Sequence, residues 1–207
     1  MRNAAAPPIY LASRSPRRQE LLRQLGVDFE ELRLREAPGR EPDVVEGPRD
    51  GESAPDYVKR IARTKASVGW ERMTERGLPA RPMLSADTEV VLDGHIFGKP
   101  ADDAHALEML ERLSGRTHLV LTAIALRWER EFVLSLCPTE VTVRQLTAAE
   151  IARYVASGEP VGKAGAYAIQ GRAAAFITRI EGSYSGVMGL PLAETAAALA
   201  RIGRSVL

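Results

Sequence analysis

Two adjacent arginines at the start of a predicted helix are the residues of this sequence that most strongly indicate chemistry. Ser15 is a typical N-cap residue, Pro16 suits the first helical position, and Arg17 and Arg18 follow directly. Cations at a helix N-terminus oppose the helix dipole by roughly 0.3 to 1 kcal/mol, whereas a phosphate is stabilised there by the dipole, free N–H groups and guanidinium groups. The pattern favours an anion site, although a salt bridge or arginines that snorkel to water also explain it.

Three lysines in separate segments add to this positive charge. Lys65 interrupts the apolar stripe of a predicted helix, Lys99 ends the return strand of a predicted hairpin, and Lys163 lies in a glycine-rich loop. One such lysine can be explained by snorkelling to water. Four cationic segments in a chain of formal net charge +1 indicate phosphate ligands for an anion of triphosphate size.

Asp87 is the candidate catalytic acid, because it lies within an otherwise apolar strand pattern over residues 83–92. A carboxylate in such a place is costly unless it is paired, binds a metal or acts as a base. An Asp-Gly turn after the strand predicts a hairpin whose register brings Thr88 opposite Lys99. A salt bridge between Asp87 and Lys99 therefore explains the position of this carboxylate equally as well as a catalytic role does.

The metal that these residues favour is a hard divalent cation. The three histidines have no metal-ligand spacing, which argues against zinc, and His118 is interpreted as structural. Neither a Walker A sequence nor a G-x-G-x-x-G motif after the first strand is present. Asp87, a second carboxylate and substrate phosphates are the expected ligands, with Glu36 as one candidate for the second carboxylate.

Composition limits the class of protein. The 207 residues are 45% hydrophobic, enough for one domain over residues 1–207. The near-zero net charge argues against nucleic acid or an anionic membrane as a partner, and no apolar stretch approaches the ~18 residues of a membrane span. The single cysteine, Cys137, fits a reducing compartment, so we expect a cytoplasmic protein.

The order of the predicted elements favours an α/β fold with a mixed sheet. Strands and helices alternate at first and are then interrupted by two hairpin-like pairs, which argues against a purely parallel sheet. The predicted strands are 9–13, 29–34, 83–92, 95–99, 118–127, 131–144 and 173–180, and the predicted helices are 16–25, 53–74, 102–113, 147–156 and 191–202. A polar, irregular loop is predicted over residues 36–53.

Five sequence blocks resemble the Maf family of nucleoside triphosphate pyrophosphatases. They are Ser-x-Ser-Pro-Arg-Arg-x-Glu-Leu-Leu at 13–22, Ala-Asp-Thr-x-Val-Val at 86–91, Gly-Lys-Pro at 98–100, Lys-Ala-Gly-Ala-Tyr-x-Ile-Gln-Gly at 163–171 and Gly-Leu-Pro-Leu-x-Glu-Thr at 189–195. The resemblance implies a two-lobed α/β fold around a curved mixed sheet with flanking helices. It also implies Mg²⁺- or Mn²⁺-dependent hydrolysis of a nucleotide to its monophosphate and pyrophosphate, and a homodimer.

The resemblance also assigns roles by position. Asp87 is the implied proton acceptor, with water activated either by this carboxylate or as metal-bound hydroxide. The implied ligands of the phosphates and of the metal site are Ser13, Arg18, Lys65 and Lys99.

Three further positions are implied in base choice, namely Arg17, Thr88 and Gln170. They resemble the branch that acts on dTTP and UTP, and a glutamine amide can pair with the edge of a uracil or thymine ring.

Two other functions compete with a dTTP/UTP pyrophosphatase. One is a nucleotide-sensing regulatory protein of cell division, in which the same cleft binds without catalysis. The other is a pyrophosphatase for inosine or xanthosine triphosphate. Asp87 argues for an enzyme, because a carboxylate repels phosphate and a binding protein does not need it. The sequence departs from the family pattern at Gly162, Ala168 and Gly186, all outside the proposed base.

Overall fold

The computed structural model describes residues 7–35 and 42–206. Within these ranges the strands form one seven-stranded mixed sheet in the order β2-β1-β3-β5-β6-β7, with β4 also paired to β3. The strands are β1 (Ile9–Leu11), β2 (Phe29–Glu31), β3 (Met83–Leu92), β4 (His95–Phe97), β5 (Thr117–Trp128), β6 (Glu131–Val143) and β7 (Ile177–Glu181). The helices are α1 (Pro16–Gln24), α2 (Ala54–Glu75), α3 (Asp103–Leu113), α4 (Ala148–Val155), α5 (Tyr184–Met188) and α6 (Leu192–Arg201).

This architecture confirms the predicted mixed-sheet α/β fold with flanking helices. β1 is parallel to β2 and β3, and the remaining pairs are antiparallel. The strand predicted at 173–180 is partly wrong, because residues Arg172–Phe176 form a 3-10 helix before β7 begins. The short helix α5 was not predicted; the Ser183 side chain caps it by accepting a hydrogen bond from the Gly186 N–H.

An interruption of the sheet beside β3 creates the space for a site. β5 pairs with β3 from Met83 to Val91 on one side. On the other side β1 pairs only with Met83 and Leu84, and β4 pairs only with residues 90–92. Residues 85–89 therefore face a gap between two strands rather than a neighbouring strand.

The hairpin register is confirmed at its turn but not at its far end. Leu92 pairs with His95 as predicted, yet the ladder stops at Val90 and Phe97, so the predicted pairing of Thr88 with Lys99 does not form. The chain turns away at Gly98, whose carbonyl accepts a hydrogen bond from the Gly165 N–H at 3.1 Å. Pro100 adds no donor that could extend the ladder.

Helix α2 covers one face of the sheet and fixes where Lys65 points. Its buried Val58, Ala62 and Ala66 recur every four residues and pack on apolar residues of β5. Gly69 permits the close approach to β3, because a Cβ atom there would lie 2.8 Å from the Met83 Sδ atom. Helices α1 and α6 pack on the opposite face, and α3 and α4 belong to a separate core cluster.

The described residues contain no helix of the length and apolar character needed to cross a membrane. Cys137 is buried as a free thiol.

The buried His118 makes the stability of the fold depend on pH. Its Nε2 atom lies 2.8 Å from the Tyr167 hydroxyl, its Nδ1 atom has no partner among the described residues, and burial lowers its pKa to about 4. The unfolded chain binds this proton near pH 6.5 and the folded chain does not, so stability is lost as pH falls from 6.5 toward 4. We expect this histidine to account for about 2 kcal/mol of the loss between pH 8 and pH 5.

Urea unfolding of His118→Gln at both pH values tests this, because glutamine retains a polar contact to Tyr167 but does not titrate. The exposed His95→Gln variant is the control, and its pH dependence should match the wild type. An unchanged pH dependence in His118→Gln would contradict the assignment.

Candidate active site

A cleft of about 820 Å³ opens at the gap beside β3. It gathers the predicted site residues that the structure describes, although they come from distant parts of the sequence. These are Ser13, Arg17, Arg18, Lys65, Asp87, Thr88, Lys99, Lys163 and Gln170. Glu36, the candidate for the second metal carboxylate, lies outside the described residues.

Asp87 is held in the cleft by an ion pair with α2. Its Oδ1 atom accepts from the Lys65 Nζ atom at 2.8 Å, and the residue is only 7% exposed. Its Oδ2 atom is buried and has no hydrogen-bond partner within the described residues. The partner is thus Lys65 and not Lys99, so the salt bridge considered across the hairpin does not form. Lys99 is exposed at the cleft wall.

Glu46 is a site residue that the sequence reasoning missed. Its Oε1 atom lies 2.6 Å from the Lys65 Nζ atom, so one ammonium group joins two carboxylates. Burial raises the pKa of Glu46, but the charge of Lys65 and its hydrogen bond outweigh burial and leave the pKa lowered. The sequence offered several acids in the loop that contains Glu46, and nothing in their spacing distinguished this one.

Two ion pairs with α2 fix the loop that carries Glu46. The buried Asp43 carboxylate accepts from the Arg72 Nε atom at 3.2 Å and also pairs with Arg35. Glu52 pairs with Arg60 at 2.6 Å, and Arg60 also donates to the Gly47 carbonyl. The described part of the loop is irregular, as predicted, and its position depends on these contacts rather than on regular backbone pairing.

Glu89 is a second missed carboxylate. It lies two residues after Asp87, so both side chains share one face of β3. Its Oε2 atom is buried and has no hydrogen-bond partner in residues 7–35 and 42–206. Burial raises its pKa to about 8, with further contributions from the negative charges of Asp87 and Glu46. The i, i+2 spacing of the two acids was the available signal.

These carboxylates provide oxygen ligands of the kind that Mg²⁺ and Mn²⁺ prefer. Among residues 7–35 and 42–206, no group of three or more His, Cys, Asp and Glu side chains is arranged to hold a metal by itself. Mg²⁺ is commonly bound by one or two carboxylates together with substrate phosphates. Asp87, whose Oδ2 atom has no partner among the described residues, and Glu46, which shares Lys65 with it, fit that mode.

Arg18 lines the cleft and contacts Thr88, the residue after Asp87. Its Nε atom donates to the Gly189 carbonyl at 2.8 Å, Nη1 to Ser13 Oγ at 3.3 Å and Nη2 to Thr88 Oγ1 at 3.1 Å. A guanidinium group has five N–H donors, so two remain for a ligand. Burial lowers the pKa of Arg18, and the negative charge of Asp87 acts against this effect.

The first turn of α1 also offers donors. Ser15 occupies the N-cap position as predicted, but its side chain accepts no capping hydrogen bond. No acidic side chain lies in that turn, and Pro16 has no N–H to satisfy. The helix N-terminus therefore faces the cleft without an anionic partner from its own first turn.

Thr88 points away from Asp87, toward α1 and α5. Its hydroxyl accepts from Arg18 and is hydrogen-bonded at 3.0 Å to Thr122 Oγ1, which also donates to the Gly186 carbonyl. Because Thr88 sits in the gap, both faces of β3 reach the same cleft. Gly186, one of the departures from the family pattern, thus contributes its backbone carbonyl, which holds Thr122 next to Thr88.

Arg17, Lys163 and Gln170 lie on another part of the cleft wall. Burial lowers the pKa of Arg17. Burial also lowers the pKa of Lys163, and the positive charge of Arg17 lowers it further. The Lys163 ammonium group donates to the Val161 carbonyl at 3.1 Å. Gln170 is exposed at a turn. The cleft thus combines a carboxylate-lined face with several cationic side chains.

The three hydrogen bonds of Arg18 predict that lysine will not replace it. We expect Arg18→Lys to lower the free energy of unfolding by about 1–3 kcal/mol, because an ammonium group cannot reproduce the planar fork. Urea unfolding measures this. Arg23→Lys, on the exposed part of the same helix, is the matched control and should change stability by less than about 0.5 kcal/mol. Equal losses in both variants would contradict the role given to the Arg18 contacts.

Comparison with known proteins places this cleft in a family. The family model described as Maf-like protein matches residues 8–202. A protein of Nitrosomonas europaea named dTTP/UTP pyrophosphatase is 56% identical over 198 residues, 96% of each chain. A protein of the same name from Nitrosospira multiformis is 59% identical over 91% of each chain. Another from Cupriavidus metallidurans is 54% identical over 94% of this chain and 96% of its own length. Because the match covers nearly the whole chain and every block that lines the cleft, this protein belongs to the Maf family.

Proposed function

We propose that this protein is a nucleoside triphosphate pyrophosphatase that hydrolyses dTTP and UTP to the monophosphate and pyrophosphate. The observation that carries the proposal is a buried Asp87 carboxylate with one unpartnered oxygen, in a cleft that also contains Arg18, Lys65, Lys99 and Lys163. The names of the close relatives support the same activity and the same nucleotides. They do not favour a nucleotide sensor or a purine-directed enzyme.

In the proposed reaction, Asp87 accepts a proton from the attacking water. The water oxygen forms a bond to the α-phosphorus, the bond from that phosphorus to the α,β-bridging oxygen breaks, and the electron pair leaves with pyrophosphate. Lys65 holds Oδ1 of Asp87. Oδ2 has two lone-pair sites, so it can accept from the water and also contact a cation. A positioned general base of this kind contributes about 10²- to 10⁴-fold to the rate.

The cationic side chains bind the phosphates and stabilise the charge on the leaving group. Arg18 has two free N–H donors beside Ser13, and the N-terminus of α1 adds backbone donors. Lys99 and Lys163 extend the positive wall of the cleft. Charge that develops on the pyrophosphate oxygens is stabilised best by donors already held in place, as Arg18 is.

We further propose that Asp87 and Glu46 hold a Mg²⁺ or Mn²⁺ ion together with substrate phosphates. When bound, the cation neutralises phosphate charge and offsets the repulsion among the carboxylates of the cleft. Glu46 is proposed as the second carboxylate because it shares Lys65 with Asp87. Glu36 lies outside the described residues and stays a prediction.

Arg17, Thr88 and Gln170 are proposed to select the base. Gln170 is exposed at the cleft, and its amide offers both a donor and an acceptor to a uracil or thymine edge. Thr88 acts mainly by fixing Arg18, with which it shares a hydrogen bond.

A cytoplasmic homodimer is the proposed state of the protein. The single, buried Cys137 without a disulfide partner in this chain agrees with a reducing compartment. Sedimentation equilibrium, which gives the mass of the assembly, tests the dimer.

Incubation with separate nucleoside triphosphates in the presence of Mg²⁺ or Mn²⁺ tests the overall proposal. dTTP and UTP should give monophosphate and pyrophosphate in equal amounts, and inosine triphosphate should react more slowly. Release of inorganic phosphate and a diphosphate would contradict the position of bond cleavage. Binding without turnover of any triphosphate would favour the sensor.

Replacing the proposed base tests the mechanism. We expect Asp87→Asn to lower kcat for UTP by about 10²- to 10⁴-fold, because an amide does not accept the proton. Nucleotide binding should persist, as measured by calorimetry. Asp93→Asn is the matched control, since that aspartate is exposed at the other end of β3 and pairs with Arg116. Full activity of Asp87→Asn would overturn the assignment.

The metal proposal predicts a binding defect that can be measured without turnover. Glu46→Gln should weaken Mn²⁺ binding by about tenfold or more in the presence of a non-hydrolysable UTP analogue, because one anionic ligand is lost. Electron paramagnetic resonance of free Mn²⁺ reports the binding. Glu181→Gln, an exposed residue of β7, is the control. Equal affinity in both variants would remove Glu46 from the metal site.

A further inference from the structure

Gln170 lies in a tight turn at the cleft. The Gly171 N–H donates to the Ala168 carbonyl at 2.9 Å and closes the turn. Glutamine has a long, flexible side chain, and ordering it costs conformational entropy. A residue of this type discriminates between ligands only when the backbone that carries it is fixed. The groups that fix the backbone on each side of Gln170 should therefore affect how well it recognises the base.

Glu159 holds the segment that follows Gln170. Its Oε2 atom accepts from the Arg172 N–H at 3.0 Å, and its Oε1 atom accepts from the Ala173 N–H at 3.3 Å. The absence of a side chain at Gly171 makes room for this carboxylate, because a Cβ atom there would lie 2.4 Å from Oε1. Burial raises the pKa of Glu159, but these N–H groups outweigh burial and leave it lowered, so the group is an anion at neutral pH.

Tyr154 holds the segment before Gln170 and links it to Glu159. Its hydroxyl donates to the Glu159 Oε1 atom at 2.9 Å and accepts from the Ala168 N–H at 3.2 Å. The residue is 4% exposed, and its ring packs edge-on against Phe176 with centroids 5.2 Å apart. Tyr154 belongs to α4, so the turn is connected to a regular element of the core.

From this arrangement we propose that Glu159 and Tyr154 are positioning residues for base selection, because they clamp the turn that carries Gln170 from both sides. The inference rests on the proposed function, in which Gln170 reads the base. Neither residue contacts the nucleotide in this proposal. Both act by fixing the backbone at 168 and at 172–173, which determines where the Gln170 amide meets the base.

The clamp is tested by the preference for UTP over CTP, taken as the ratio of the two kcat/KM values. We expect Glu159→Ala to lower this preference about tenfold and Tyr154→Phe to lower it about threefold, mainly through a higher KM for UTP, because small displacements of a recognition group cost large factors. Glu159→Gln, which keeps an acceptor of similar size, should retain part of the preference. The affinity for pyrophosphate, which has no base, should remain within about twofold of wild type.

A double variant separates positioning from general loss of structure. If Glu159 acts through Gln170, Glu159→Ala combined with Gln170→Ala should show the same preference as Gln170→Ala alone. A merely structural role would lower kcat for both nucleotides in parallel and leave their ratio unchanged. Glu140→Gln, an exposed residue of β6, is the control and should behave as wild type.

The possible failures can be distinguished. If Gln170→Ala retains the full preference for UTP, base reading by Gln170 is wrong and the clamp proposal falls with it. If Gln170→Ala loses the preference while Glu159→Ala and Tyr154→Phe retain it, only the clamp proposal is overturned. If Glu159→Ala does not fold, Tyr154→Phe decides the matter, because it removes one oxygen from a ring that keeps its packing against Phe176.

Discussion

The gap in the sheet beside β3 is the constraint on which the site depends. The pairing of β1 with β3 ends at Leu84 and the pairing of β4 with β3 begins at Val90, so a short stretch of a central strand has a partner on one side only. Backbone groups left without a strand partner must face water or a ligand, because burying them unpaired is costly. The gap therefore stays open as a cleft, and residues from both faces of β3 reach it. Asp87 and Thr88 serve one site for this reason, although their side chains point in opposite directions.

The carboxylates that line the cleft have too few cationic partners among the described residues. Lys65 joins Asp87 and Glu46, while Glu89 has a buried oxygen without a partner in the part of the chain that the structure describes. Burial raises the pKa of Glu89 to about 8, and the negative charges of Asp87 and Glu46 add to this effect. A cation bound with the substrate would relieve this repulsion, and the substrate phosphates would meet the free donors of Arg18. The same features that cost stability in the free protein favour binding of a metal and a polyphosphate together.

Much of the fold and several site residues could be predicted from local sequence patterns. The Asp93-Gly94 turn fixed the start of the hairpin, and the capping box at Thr147 and Glu150 is present at α4. Lys65 was noticeable because it interrupts an apolar stripe. The strand predicted through residues 173–176 is wrong, because these residues belong to a 3-10 helix whose Arg172 and Ala173 N–H groups donate to Glu159. Glu46 was not predicted, because its loop has no periodicity and is held by ion pairs with distant positions on α2.

Local sequence patterns specify which residue types are available for phosphate and metal chemistry. They also specify where most helices and strands lie, because these follow from periodicity, turn residues and caps. Only the tertiary structure decided which charges meet. It paired Asp87 with Lys65 instead of Lys99, brought Glu46 to the same ammonium group, and turned Arg18 toward Thr88 and Gly189. These contacts join residues that lie 19 to 171 positions apart in the sequence. Such pairings depend on how strands end and helices pack, and no local pattern encodes them.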